Sequence, residues 1–88
     1  MPGVRSIIPG SVSSDTTPST TQATIDFGGY PGSNNDNQYK DRMLVFTSGD
    51  LQGMALKITN FVGSSGLITY SATPNGLTPS SGDDCIVV

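Results

Sequence analysis

Few residues of this chain could take part in catalysis. The sequence has no histidine and one cysteine, Cys85. A nucleophilic triad needs a base, usually histidine, and a zinc site draws on histidine and cysteine ligands. A serine–lysine or threonine-based mechanism stays open by residue type, but nothing in the sequence places Lys40 or Lys57 beside a hydroxyl. We therefore expect a protein that is not an enzyme and that binds no cofactor or metal.

The carboxylates and the thiol offer only weak alternatives. Asp83, Asp84 and Asp36 could form a catalytic carboxylate pair, but neighbours in a strand point to opposite faces. Residues 34–37, Asn-Asn-Asp-Asn, resemble a calcium loop faintly, without the alternating Asp spacing and distal Glu of an EF-hand. A solvated turn is the favoured interpretation. Cys85 lies in an apolar C-terminal segment, which favours a buried and inert thiol.

Charge and hydropathy exclude two classes of partner. Four Lys and Arg against seven Asp give a net charge of −3. The cations are scattered, whereas binding to nucleic acid needs clustered cations. No apolar run approaches the roughly 20 residues of a membrane span, and the first residues lack the blocks of a signal peptide. We expect a protein synthesised in the cytoplasm that contacts neither nucleic acid nor membrane.

The short chain suggests that contacts with partner chains supply part of the protein's stability. The 88 residues form one domain at most, and a domain of this size buries a modest core. A lone cysteine excludes an intrachain disulfide. Oligomerisation or docking on a partner is therefore expected to supply additional stability.

Composition and periodicity predict an all-β fold. Ser and Thr together number 22, Gly and Pro 17, Ala three and Glu none, so strong helix formers are scarce. The spacing of apolar residues and turn signals predicts a small antiparallel β-barrel or sandwich of jelly-roll or tulip-like type. Strands that follow the patterns of alternation and turn residues are expected at 20–27, 43–47, 54–62, 67–72 and 84–88.

An extended N-terminal arm over residues 1–20 is expected to precede a β domain over residues 21–88. Three prolines interrupt the first 20 residues, and residues 11–21 are nearly all small and polar. Residues 4–8 could form a short strand that Pro9-Gly10 ends. On this interpretation, residues 2–12 could be removed while the β core stays folded.

Such an arm could lie across a neighbouring subunit or add to the edge of its sheet. Its apolar side chains would then be buried by the partner. The polar loop at residues 28–38 could supply a further contact, because loops of this length often carry function. The residues expected to bind a partner are Val4, Arg5, Ile7, Ile8, Val12 and Tyr30.

Four segments of the second half have a recognisable order. They read Phe-Thr-Ser-Gly-Asp-Leu-Gln-Gly, Ile-Thr-Asn-Phe, Gly-Leu-Ile-Thr-Tyr and Pro-Ser-Ser-Gly-Asp, at residues 46–53, 58–61, 66–70 and 79–83. In this order they resemble a pattern of small virion proteins of tailed phages, and the match covers roughly residues 20–88. The resemblance implies a head decoration or cement protein that binds the major capsid protein on the outer capsid surface as a homotrimer.

Other contexts for the same pattern leave alternatives open. It also occurs in tail-fibre and tail-tip proteins, so a tail or tail-fibre accessory module that binds a host receptor is the main alternative. The length of the chain favours decoration, because a tail fibre would normally carry such a module inside a longer chain. A scaffold-type or secreted enzyme inhibitor is a third alternative, which the absence of disulfides disfavours.

Overall fold

The computed structural model describes residues 7–15, 17–28 and 35–88. A short 3-10 turn at Pro74–Gly76 precedes the last strand. The strands are β1 (Ile8–Val12), β2 (Gln22–Asp26), β3 (Met43–Phe46), β4 (Ala55–Val62), β5 (Leu67–Tyr70) and β6 (Asp84–Val87). These six strands confirm the prediction of an all-β fold.

The strands close into a barrel. Their order around it is β1-β2-β5-β4-β3-β6, with β6 pairing back to β1, and each neighbouring pair is antiparallel. Of the two architectures expected, barrel and sandwich, the chain forms the barrel. Closure pairs the strand edges that an open sheet would leave available to other chains.

Strand β4 shows how alternation fills the barrel. Leu56 and Ile58 are buried while Lys57 is exposed. Alternation alone would then turn Phe61 outward. A register shift between Ile58 and Asn60 in the pairing with β5 inserts an additional residue and returns Phe61 to the core.

The core also recruits an aromatic side chain from the segment before β3. Tyr39 is 3% exposed, and its ring centroid lies 4.8 Å from that of Phe61 and 5.3 Å from that of Phe27. These edge-on and tilted arrangements are the favoured geometries for aromatic pairs. They anchor a stretch that the sequence presents as a polar loop.

The N-terminal segment departs from the sequence-based expectation. Residues 8–12 form a barrel strand that pairs with both β6 and β2, and Pro9 lies inside it. The Val12 N–H donates to the Asp83 carbonyl on the β6 side, so alternation directs the Pro9 nitrogen to the β2 side. Pairing with β2 ends at Ser11, so the missing N–H of Pro9 breaks no hydrogen bond of the ladder.

Gly10 has a packing role within β1. A Cβ at this position would lie 2.8 Å from Ile25 Cγ2 and 3.0 Å from Phe27 Cδ1. Both side chains come from β2 or directly follow it, and they occupy the space that a side chain at residue 10 would need. The Pro-Gly pair, which the sequence presents as a strand breaker, therefore permits a close approach between strands.

The expected division into an arm and a β domain is wrong for residues 8–12. Ile8 is 1% and Val12 3% exposed, so these side chains belong to the barrel core. Removing residues 2–12 would take a strand out of the barrel and open it between β2 and β6. Residues 1–6 of the expected arm lie outside the described residues.

Candidate functional site

The six residues expected to bind a partner lie in different environments or outside the described residues. Ile8 and Val12 point into the core and are closed to a partner, because alternation along β1 turns every second side chain inward. Ile7 directly precedes β1 and is 55% exposed. Val4, Arg5 and Tyr30 lie outside the described residues.

Ile7 borders an apolar surface on the outside of the barrel. In the adjacent strands β1, β6 and β3, Pro9 is paired with Ile86, and Ile86 with Val45. These three side chains alternate with buried ones and therefore face outward. They form an unbroken apolar row across three strands.

A second apolar row runs beside the first. Val88 and Met43 exchange backbone hydrogen bonds of 2.9 and 3.2 Å, and the pairing of Ile8 with Val87 extends to place Ile7 opposite Val88. Among the described residues, Ile7 and Val88 are the large apolar side chains with high exposure, 55% and 39%. We name the two rows together the outer apolar face: Ile7, Pro9, Met43, Val45, Ile86 and Val88.

Charged groups flank the outer apolar face at opposite edges. Beside Met43, Lys57 lies 3.5 Å from an Asp41 carboxylate oxygen. Arg42 donates from Nε to the Val88 carbonyl at 3.4 Å. Beyond the other row, the exposed Asp84 is paired with Ser11. One edge of the face therefore carries two cations and one carboxylate, and the other is acidic.

The turn before β4 and the entry to β6 form a tight junction. The Asp84 N–H donates to Ser48 Oγ at 2.8 Å, and the Thr47 N–H donates to the Asp84 carbonyl at 2.9 Å. Gly49 has a φ of +80°, and a Cβ there would overlap the Asp83 carboxylate. Glycine suits this position because of its backbone conformation, and any other residue would also displace the Asp83 carboxylate.

The polar segment before β3 has a structural role. Asp36 Oδ1 accepts a hydrogen bond from the Gly63 N–H at 2.9 Å, and Asn37 Oδ1 accepts one from the Phe61 N–H at 3.0 Å. These side chains satisfy backbone donors of β4 and its turn at a place that β3 does not reach. Asn37 has a φ of +60°, which asparagine tolerates better than most residues.

Cys85 is 1% exposed, which confirms the prediction of a buried thiol. Burial, and then the neighbouring carboxylates of Asp84 and Asp83, raise its pKa to about 12. A thiol that stays protonated at neutral pH is a poor nucleophile. Burial likewise raises the pKa of Tyr70 to about 12, and its hydroxyl donates to the Ser19 carbonyl at 2.8 Å.

A groove of about 340 Å³ lies between the β4–β5 turn on one side and β2 with the segment that follows β1 on the other. Ser13, Asp15 and Asp26 contribute to one side, and Ser64 and Ser65 to the other. Hydroxyls and carboxylates can bind a polar ligand through hydrogen bonds. Within the described residues, no group of three or more His, Cys, Asp or Glu side chains is placed to hold a metal ion.

The sequence missed the outer apolar face for a definite reason. Residues 43–46 and 85–88 are apolar at nearly every position, so they do not show the alternation that separates a buried from an exposed face.

In the part of the chain that the structure describes, no helix is long and apolar enough to span a membrane. Comparison with family models, curated proteins and solved structures finds no match to this chain.

Proposed function

We propose that this chain is a structural virion protein of a tailed phage, which decorates and stabilises the capsid by binding the major capsid protein on its outer surface. The observation that carries the proposal is the contact between two segments of the virion-protein pattern. Residues 46–53 and 79–83 are far apart in sequence, yet their turns meet in the junction of Ser48, Gly49 and Asp83.

This contact bears on the resemblance because it explains the spacing of the pattern. The Ser48 hydroxyl satisfies a backbone donor at the start of β6, and Gly49 leaves room for the Asp83 carboxylate. Asp83 Oδ2 in turn accepts a hydrogen bond from the Ser80 N–H at 2.8 Å. Two pieces of the pattern therefore stabilise one another in the folded chain, which supports reading them as parts of one structural module.

The roles of the polar groups also support a structural protein. The carboxylates of Asp36 and Asp83 accept backbone hydrogen bonds, and the Cys85 thiol is buried. These groups stabilise turns and the core and are not gathered into a reaction centre. The exposed surface of the described barrel is therefore the part available to bind other proteins, which suits an assembly protein. Association of the protein into a homotrimer remains a prediction from the resemblance.

Copy number on purified phage particles tests the proposal. Quantitative mass spectrometry of particles from the phage that encodes the chain, with antibody labelling in electron micrographs, should find hundreds of copies on heads. Particles stripped of the protein should lose their DNA at a lower temperature and recover when the protein is added back. Absence of the protein from particles, or no change in heat resistance, would contradict decoration.

A truncation tests the expected contacts of the N-terminal residues. Deletion of residues 2–6 removes Val4 and Arg5 but keeps β1, so the barrel should stay folded by far-UV circular dichroism. Weaker binding to stripped capsids would support a contact through these residues. Tyr30→Ala provides the same test for the loop contact. Full binding by both variants would indicate that the capsid contact lies on the barrel surface and not in these residues.

The main alternative is a tail or tail-fibre accessory module that binds a host receptor. The polar groove favours it, because Ser13, Asp15, Asp26 and Ser64 line the groove and offer hydrogen-bond groups that suit a polar surface glycan. On this alternative the particle would carry a handful of copies, located on tails. Asp15→Asn combined with Asp26→Asn should then lower adsorption to host cells, whereas a decoration protein should keep its capsid binding after the same changes.

A further inference from the structure

The outer apolar face points to pairing between two copies of this chain. We infer that the faces of two copies pack together about a two-fold axis, with the strands of the β1–β6–β3 sheet lying against their counterparts. This pairing goes beyond the proposed function and does not depend on it. A protein of any function with this surface would associate in the same way.

The apolar content of the face is the first support. Ile7 and Val88 are 55% and 39% exposed and lie side by side, while Pro9, Val45 and Ile86 form the adjacent row. Scattered apolar side chains on a surface need no explanation, but a contiguous patch marks an interaction site. Burial of both rows against a second protein would remove them from water.

Charge selects a second copy as the occupant. Lys57 and Arg42 flank the row of Met43 and Val88, whereas Asp84 follows the other row. A two-fold axis that lies between the faces and runs parallel to the rows near Ile86 reverses the order of the rows in one copy. It brings the edge with Lys57, Arg42 and Asp41, which has a net positive charge, towards the acidic edge of the partner. The surface is then complementary to itself in both apolar and charged parts.

The dimensions suit a sheet-on-sheet contact. Three strands about 4.8 Å apart and two rows about 7 Å apart make a small, flat centre for two faces that pack about 10 Å apart. An interface of standard size buries about 800 Å² on each partner. The polar and small residues around the face, which include Ser11, Thr47, Ala55 and Lys57, would have to complete that area. We therefore expect a weak dimer.

This contact differs from the homotrimer that the resemblance implies. A two-fold contact uses the same surface on both partners and closes at two copies. A ring of three requires two different surfaces on each copy. The stoichiometry in solution therefore separates the two arrangements without reference to a capsid.

Sedimentation velocity on the full chain over a range of concentrations tests the inference. We expect a reversible dimer with a dissociation constant below about 1 mM. Ile86→Lys, which places two cations near the axis, should raise that constant at least about tenfold. Gln22→Lys adds the same charge on β2, away from the face, and should leave it unchanged. Val45→Thr is a milder variant that serves if Ile86→Lys does not fold by circular dichroism.

Charge reversal tests the orientation of the two copies. Asp84→Lys should weaken the dimer because it sets cations against the Lys57 edge of the partner, and Lys57→Asp in the same chain should restore much of the lost affinity. A monomer at all concentrations, a trimer, or a dimer that Ile86→Lys leaves intact would overturn the inference. A dimer that Asp84→Lys does not weaken would overturn the two-fold orientation. A strictly monomeric chain that loses its binding to the capsid protein when Ile86→Lys is introduced would overturn the pairing and identify the capsid protein as the occupant of the face.

Discussion

The two faces of the β1–β6–β3 sheet have similar composition and opposite surroundings. On the inner face, Leu44 and Val87 are 0% exposed. On the outer face, Met43, Val45 and Ile86 alternate with them in the same strands and are partly exposed. Residue type alone does not separate the two sets. The difference lies in what each face packs against, which is the barrel core on one side and solvent on the other.

This difference shows that strong hydrophobicity in a strand need not mean that both faces are buried within one chain. Strand β4 has a clear polar face, with Lys57, Thr59 and Asn60 exposed, and its alternation predicts its orientation. Strands β3 and β6 have two apolar faces. In this closed six-stranded barrel, no second layer formed by the described residues covers one of those faces, so that face is available to another molecule.

Shortening two neighbouring side chains to alanine should give the largest difference in the free energy of unfolding between the two faces. Leu44→Ala leaves a cavity in the core and should lower the free energy of unfolding by about 2–5 kcal/mol. Met43→Ala shortens a side chain of similar size on the outer face and should cost less than about 1 kcal/mol. Urea denaturation at low protein concentration measures both. Equal losses would mean that the two faces do not differ in packing.

An isosteric pair of substitutions isolates polarity from volume. Val87→Thr places a hydroxyl in the core and should cost about 1–3 kcal/mol of unfolding free energy. Val45→Thr makes the same change on the outer face, where water can solvate the hydroxyl, and should change stability by less than about 0.5 kcal/mol. The same denaturation experiment compares them. A Val45→Thr variant as destabilised as Val87→Thr would show that the outer face is covered.

A single methyl group tests how tightly the inner face of β1 is packed. Gly10→Ala would set a Cβ 2.8 Å from Ile25 Cγ2, and overpacking of this kind should cost about 1–3 kcal/mol. Its outward neighbour provides a control, since Ser11→Ala should change stability by less than about 0.5 kcal/mol. If Gly10→Ala is neutral in thermal unfolding, β2 has more freedom to move than the contact implies.

Alkaline pH should give the smallest effect and should act through the inner face of β6. Folding raises the pKa of Cys85 from its ordinary value of 9.0 to about 12. Above about pH 9 the unfolded chain loses the thiol proton while the folded chain keeps it, so stability should fall as pH rises, by up to about 1.4 kcal/mol per pH unit. Below that pH the contribution is fully present.

Urea denaturation between about pH 8 and pH 10 measures this dependence. Cys85→Ala should flatten the stability curve over that range, because the titrating group is gone. Tyr70→Phe removes the hydrogen bond to the Ser19 carbonyl and should lower stability at every pH, but it should change the slope only at higher pH, since the ordinary pKa of tyrosine is 10.0. Identical slopes for the parent chain and Cys85→Ala would show that Cys85 does not control alkaline unfolding.

Local patterns were sufficient to predict much of the fold. Strands β2 to β6 lie within the segments that propensity and turn residues indicate, and the Cys85 thiol is buried as its apolar surroundings suggest. Such features depend on residues close together in sequence. The segment at residues 36–42 was harder to predict, because Asp36 and Asn37 find their partners at Gly63 and Phe61, more than twenty residues away.

The sequence by itself determined the β character of the chain, the positions of strands β2 to β6 and the burial expected for its thiol, because backbone preference and period-2 alternation act locally. Only the tertiary structure decided that residues 8–12 are a barrel strand. That outcome depends on Gly10 fitting against Ile25 and on pairing with β6, at the other end of the chain. The outer apolar face likewise depends on the tertiary structure. Its rows join side chains from both ends and from the middle of the chain, which only closure of the barrel brings into register.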